Sequence, residues 1–222
     1  SNGGTNWLAL KSGLPTIAVR DIEIQRREND LVLGTFGRGF YILDDYTPLR
    51  HIKKEDLTKD ALICPVKDAL MFIPRFPLGL RDKGHLGSSF YNTPNPEMGA
   101  VITYYVKNDI KKLKDIRKEK EKTAYEKKEK VFYPTLDSLE LEDKQTDPYL
   151  LLTIVDAKGN VVRHLKAPAT KGLHRLTWDL RYAPADPVEG RYTPAPDQLF
   201  GAAPQGYLVM PGSYQVSLSS YN

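Results

Sequence analysis

Cysteine is almost missing from this chain: of 222 residues only Cys64 carries a thiol. An internal disulfide and a cysteine-rich zinc site are therefore excluded. Cys64 sits in an apolar run, where a thiol is expected to be buried and unreactive. Histidine is also scarce. His51, His85, His164 and His174 show neither helical i,i+4 spacing nor a metal-ligand pattern with carboxylates. No apolar run approaches the ~20 residues that a membrane-spanning helix needs, and no signal peptide is read at the start. Serine nucleophile elbows, phosphate-binding loops and dinucleotide fingerprints are absent, and Gly37-Arg38-Gly39 is too short to cradle a phosphate. Neither a cofactor nor a metal is expected.

What is present points to β-structure. Sixteen glycines, sixteen prolines and thirteen tyrosines accompany 41% hydrophobic residues, enough for a core punctuated by turns. The net charge of +4 is local. Lys107–Lys130 carries eleven Lys/Arg against six Asp/Glu, which leaves −1 for the rest. Acids interrupt the lysines, and only Tyr125 offers a stacking surface there, so a solvated helix is expected and nucleic acid is not.

The most informative stretch is Asp30–Asp45. Leu31-Val32-Leu33 and Phe40-Tyr41-Ile42-Leu43 read as two strands, with Gly34, Gly37 and Gly39 between them as left-handed or closely approached positions. Ile17–Gln25 alternates as a strand, Arg26–Asp30 reads as a polar turn, and Trp7–Leu10 reads as a further strand. Lys54–Thr58 reads as a short helix and Ala61–Ile73 as a broken strand pair. Arg75–Met98 is a long loop, and Ala100–Val106 a strand. Lys107–Val131 has the helical period, with Asn108 or Asp109 to cap it and Glu126→Lys130 as a favourable pair. Leu136–Asp147 is an acidic linker or second short helix. Leu150–Val155, Val161–Leu165, Leu173–Leu180 and Ser213–Ser219 complete a β-rich second half, with a loop at Tyr182–Gln205. Short strands with frequent turns predict a sandwich.

Two resemblances follow. Gly4-Thr5-Asn6-Trp7, Asp21-Ile22 and Gly34-Thr35-Phe36-Gly37-Arg38-Gly39-Phe40 resemble the last blade of a BNR-repeat, sortilin-like propeller. Asn6 stands at the threonine position of the Asp-box, and its Ser-x-Asp half is not in the sequence. Leu152–Leu165, with Asp156 and Gly159 in its turn, resembles the Ig-like sandwich module of the flagellar hook-cap type, as do Gly172–Asp179 and Pro211-Gly212-Ser213-Tyr214. The combination is similar to the C-terminal region of secreted bacterial proteins often labelled glycosyl hydrolase. It implies a mainly β chain in three parts: a terminal propeller-blade remnant over 1–50, linker strands and a long loop over 51–98, and an Ig-like β-sandwich over 99–222 with a helical insertion at 107–147. The implied location is secreted or periplasmic. A propeller needs four to eight blades, so the expected partners are the remaining blades, from the same parent chain or another subunit, with glycan or peptide as ligand. The implied role is a non-catalytic accessory module. The alternatives are part of a sialidase-like glycoside hydrolase whose catalytic residues lie mostly upstream, or a sortilin-like peptide-binding protein.

Each candidate site has a plainer counterpart. Asp44-Asp45 is a carboxylate pair, but neighbours on a strand point to opposite faces, and glycosidase pairs face each other across a sugar; a turn cap is expected. Arg38, with Arg20, resembles a carboxylate-gripping arginine, yet such a grip needs several arginines converging on one anion. Pairing with Asp21 or Asp44 is expected instead. Phe90 and Tyr91, with Phe76, His85 and Asn92 on the same loop, suit a sugar or peptide groove or a drape over a propeller rim. His164 and His174 are expected on neighbouring strands. Trp178 is expected to anchor the sandwich core, with Asp179 tying a turn, and Gly212 and Tyr214 belong to the same module's structural signature.

Overall fold

Alternation of large apolar and polar residues puts one face of each strand out of water, and in the second half of the chain two sheets share the resulting core. The computed structural model describes residues 4, 5, 7, 13–72, 87, 97–184 and 205–221. It is mainly β, and it divides into two units at Ile52/Lys53. Most of the expected strand at Trp7–Leu10, of the Arg75–Met98 loop and of the Tyr182–Gln205 loop lies outside the described residues.

The first unit holds one antiparallel sheet, β1 (Val19–Gln25), β2 (Asp30–Thr35) and β3 (Phe40–Leu43), in that order. The β1–β2 turn places Asn29 in the left-handed region at φ 62°, a conformation that asparagine tolerates. A five-residue helix, α1 (Thr47–His51), follows; Pro48 in its first turn is suited to a helix start. The sequence pattern did not indicate it.

The second unit contains two three-stranded antiparallel sheets. One runs β4 (Ala61–Ile63), β5 (Ala100–Val106), β8 (Gly172–Trp178); the other runs β7 (Val161–Ala167), β6 (Tyr149–Val155), β9 (Gln215–Tyr221). Ile102, Tyr104 and Val106 from one sheet join Leu150, Leu152 and Ile154 from the other in a single buried cluster closed by Trp178. Tyr104 is fully enclosed; its hydroxyl donates to the Pro168 carbonyl at 2.9 Å, and burial pushes its pKa up to about 12. Cys64 is buried, and desolvation raises its pKa, which keeps it a thiol.

Several expectations need correction. Ala61–Ile73 is not a strand pair: only Ala61–Ile63 is strand, as the edge partner of β5. The Cys64 backbone amide still donates to the Thr103 carbonyl, and Pro65 then supplies no donor. Part of the expected linker thus belongs to the second sheet. His164 and His174 are not on neighbouring strands, because β7 pairs with β6 while β8 pairs with β5. His164 meets the Thr153 hydroxyl at 3.1 Å, and His174 stacks on Tyr104 with centroids 5.2 Å apart.

The helical insertion is two helices, α2 (Leu113–Glu126) and α3 (Leu136–Lys144). Neither Asn108 nor Asp109 caps α2. Asp109 instead accepts from the Lys171 amide at 2.7 Å, and the distant Gln145 side chain accepts from the Leu113 amide at 2.8 Å. The helix ends before Lys130, so the Glu126–Lys130 pair does not form within it. Lys128 at φ 58° closes α2, with its amide donating to Tyr125 and the Glu129 amide to Ala124, the pairing of a Schellman end usually built on glycine. Thr135 caps α3 by accepting from the Ser138 amide. Neither helix contains a buried residue. The two are tied by Arg117, which grips Glu142 through two bonds at 2.7 and 2.9 Å and also reaches Glu121, and by the Lys112–Asp147 pair.

Two predictions follow from this packing. Trp178→Ala should lower stability by about 3–5 kcal/mol in equilibrium unfolding, and an unchanged unfolding midpoint contradicts the core assignment. Glu142 and Asp147 both have pKa values lowered by hydrogen bonds to their cationic partners. Their contribution is complete above the ordinary carboxylate range and drains away as pH falls through the depressed values. The far-UV helix signal should therefore hold from neutral pH down to that range and fall below it; a signal flat to the acid limit contradicts the tie.

Candidate functional site

In the first unit the β2–β3 loop is set by Gly37 and Gly39, at φ +80° and +75°, where any side chain would be strained. The Thr35 amide and hydroxyl both donate to the Gly39 carbonyl, at 3.2 and 2.7 Å. Gly34 has no left-handed φ, and an added Cβ would make only ordinary contact with Asp21. Arg38 stands exposed at the loop tip between the two glycines. Arg20 lies over the Phe36 ring at 5.0 Å rather than against Asp21 or Asp44. Asp21 accepts from the Ile22 amide instead.

Asp44 and Asp45 sit at the other end of β3. Asp45 adopts φ 42°, its amide donates to the Asp30 carboxylate at 3.0 Å, and its own carboxylate accepts from the Thr47 amide at 3.1 Å. It is thereby committed to the corner that starts α1. Asp44 is exposed. The length of β3 separates Arg38 from both acids by about 15–20 Å of extended chain, so these three candidates do not converge. Phe90 and Tyr91 lie outside the described residues.

The second unit carries the structural candidates and a groove. Asp156 accepts from the amides of Lys158 and Asn160, both at 2.8 Å, and from the Asn160 side chain; these bonds hold its pKa below the usual range. Gly159 at φ +84° completes that hairpin turn. Trp178, 2% exposed, donates its indole N–H to the Arg181 carbonyl at 3.0 Å. Asp179 accepts from the Arg181 amide at 3.2 Å, across a corner that holds Leu180 at φ 56°. Tyr214 meets Trp178 edge to face at 5.2 Å, and its hydroxyl donates to the Met210 carbonyl at 2.5 Å. Burial raises the Tyr214 pKa. Gly212 has no left-handed φ, and only the Met210 carbonyl, at 4.0 Å, is near a Cβ added there.

Two glycines that the sequence did not single out are tightly constrained. A Cβ on Gly99 would strike the Trp178 carbonyl, and one on Gly206 the carbonyl of Tyr182. Both let a neighbouring chain close over this corner. Beside it lies a groove of ≈ 670 Å³, whose lining includes Ile63, Leu70, Trp178, Met210 and Tyr214, with Lys67 and Asp68 on its wall. Its chemistry is that of an apolar cleft with adaptable thioethers, suited to hydrophobic side chains. No signal in the sequence marks it, because its walls come from segments about 150 residues apart. Among the described residues no three His, Cys, Asp or Glu side chains gather as a metal-holding group.

No protein-family model matches this chain, and no curated protein or solved structure matches it either. Arg38 and Asp44 are exposed and lie outside the core, so Arg38→Ala and Asp44→Ala should each shift stability by no more than about 0.5 kcal/mol. A larger loss in thermal melting shows that either residue is structural.

Proposed function

We propose that this chain is a non-catalytic accessory module of a secreted propeller protein of the BNR or sortilin-like kind, whose first unit seats against neighbouring blades. The observation that carries this reading is an apolar face of the first sheet that is not buried among the described residues. The register aligns Ile22 with Leu33 and Tyr41, and Ile24 with Leu31 and Leu43, so six apolar side chains share one face of three strands. Ile22 and Ile24 are exposed, at 60% and 41%, and the other four are half-buried. The opposite face adds Phe40, 80% exposed, and Ile42. Among the described residues of this unit only Pro48 is buried. A sheet of three short strands with apolar side chains on both faces gains stability by stacking between similar sheets, which is the logic of a blade.

The second unit supports a sandwich of Ig-like type through its two sheets around one core and its Trp178–Tyr214 contact. The Tyr214 hydroxyl bond to a carbonyl four residues upstream resembles the tyrosine corner of such sandwiches. Its role on this reading is to buttress the propeller, with glycan or peptide as the ligand of the assembled protein.

Light scattering across a concentration series tests the seating surface. The chain should self-associate through this apolar face, and Ile22→Lys should reduce that association without moving the melting of the second unit. A monomer at every concentration contradicts the proposal, and turnover of aryl glycosides by this chain overturns its non-catalytic part.

A further inference from the structure

The closed end of the α2–α3 hairpin combines two features that its helical fold alone does not require. The first is a run of uncovered apolar side chains: Tyr125, Val131, Phe132, Tyr133 and Leu136 are all exposed, Phe132 at 81% and Tyr133 at 85%. They occupy the end of α2, the Glu129–Thr135 link and the first residue of α3. The second is charge. Lys120, Lys122, Lys127, Lys128 and Lys130 are exposed in the second half of α2 and just beyond it. Of the glutamates among them, Glu119 is held by Lys111 and Glu121 by Arg117. That leaves Glu126, Glu129 and, at the start of α3, Asp137 to oppose the five lysines.

Lys128 adds a third sign. It holds the left-handed position that ends α2, where glycine would be unstrained. Strain kept on a charged residue at an exposed tip is a reason to look for what that charge meets.

We propose that this tip docks on an anionic lipid bilayer, with Phe132, Tyr133 and their apolar neighbours entering the headgroup layer while the lysines pair with lipid phosphates. Aromatic rings and lysines side by side are the composition of membrane-interface anchors. A soluble polyanion would engage the lysines and leave five apolar side chains in water, whereas a bilayer interface accommodates both. The Arg117–Glu142 grip holds the two helices together, so the tip is presented on a braced hairpin. The docking is peripheral: no helix among the described residues is long and apolar enough to cross a membrane. It stands independently of the blade reading, because it uses none of the first unit's residues.

The test is flotation of the full chain with vesicles of phosphatidylcholine alone and of phosphatidylcholine mixed with phosphatidylglycerol. The chain should float with the mixed vesicles, and much less with the neutral ones. Replacing Lys127, Lys128 and Lys130 by Gln should weaken that partition by on the order of tenfold to a hundredfold at low salt. Phe132→Ser with Tyr133→Ser should weaken it as well, and Phe132→Trp should give a blue-shifted emission on the mixed vesicles. Lys128→Gly separates anchoring from folding: it should leave the melting temperature equal or higher while reducing partition. Far-UV spectra matching the parent chain show that the variants retain the hairpin. Equal partition onto neutral vesicles, or partition unchanged by the lysine and aromatic variants, overturns the proposal. Binding to soluble polyglutamate without vesicle partition also overturns it, and assigns the tip to an acidic protein surface.

Discussion

Ile102, Tyr104 and Val106 face Leu150, Leu152 and Ile154 across one seam, and the second unit hangs from that contact. Each strand supplies every second residue to the seam, and each buried side chain of this size contributes roughly 1.5–3 kcal/mol of transfer free energy. Nothing comparable exists in the helical insertion, whose two helices are tied by ion pairs at their surface. Exposed pairs of that kind are weak one at a time. The helices therefore depend on the two-sheet core at their base, through the Ile110 amide bond to Ala169 and the Lys171–Asp109 bond, and on the Arg117 bridge between them.

The first unit follows a different rule. Its strands have good register and a well-set glycine loop, yet among the described residues they close no core of their own. Local geometry is satisfied there and burial is not. That contrast between two units of one chain motivates the reading of the first sheet as an interface and of the second unit as the self-sufficient part.

Strands whose signal is local were legible in the sequence. Ala100–Val106 is found at the residues its β-branched and aromatic run marks, and the Asp156–Asn160 turn sits between the strands its Asp and Gly separate. Boundaries decided by distant partners were not legible. The α2 start is set by Gln145, thirty-two residues on, and its end by a lysine in a conformation that usually calls for glycine. The pairing of β8 with β5 rather than with β7 moved His174 away from His164, a long-range choice that strand spacing does not encode. The groove beside Trp178 was invisible for the same reason. The need for glycine at Gly99 and Gly206 arises only from carbonyls brought in by the tertiary fold.

Hydrogen exchange on the whole chain, at a concentration low enough to keep it monomeric, tests the central claim most directly, since it compares the two units in one sample. The account predicts slow exchange at the Ile102, Leu152 and Ile154 amides, set by global unfolding, and much faster exchange across Val19–Leu43, where paired strands lack a buried face to hold them. Protection of Val19–Leu43 equal to that of the second unit's core would show a sheet that needs no neighbour, and would contradict the account.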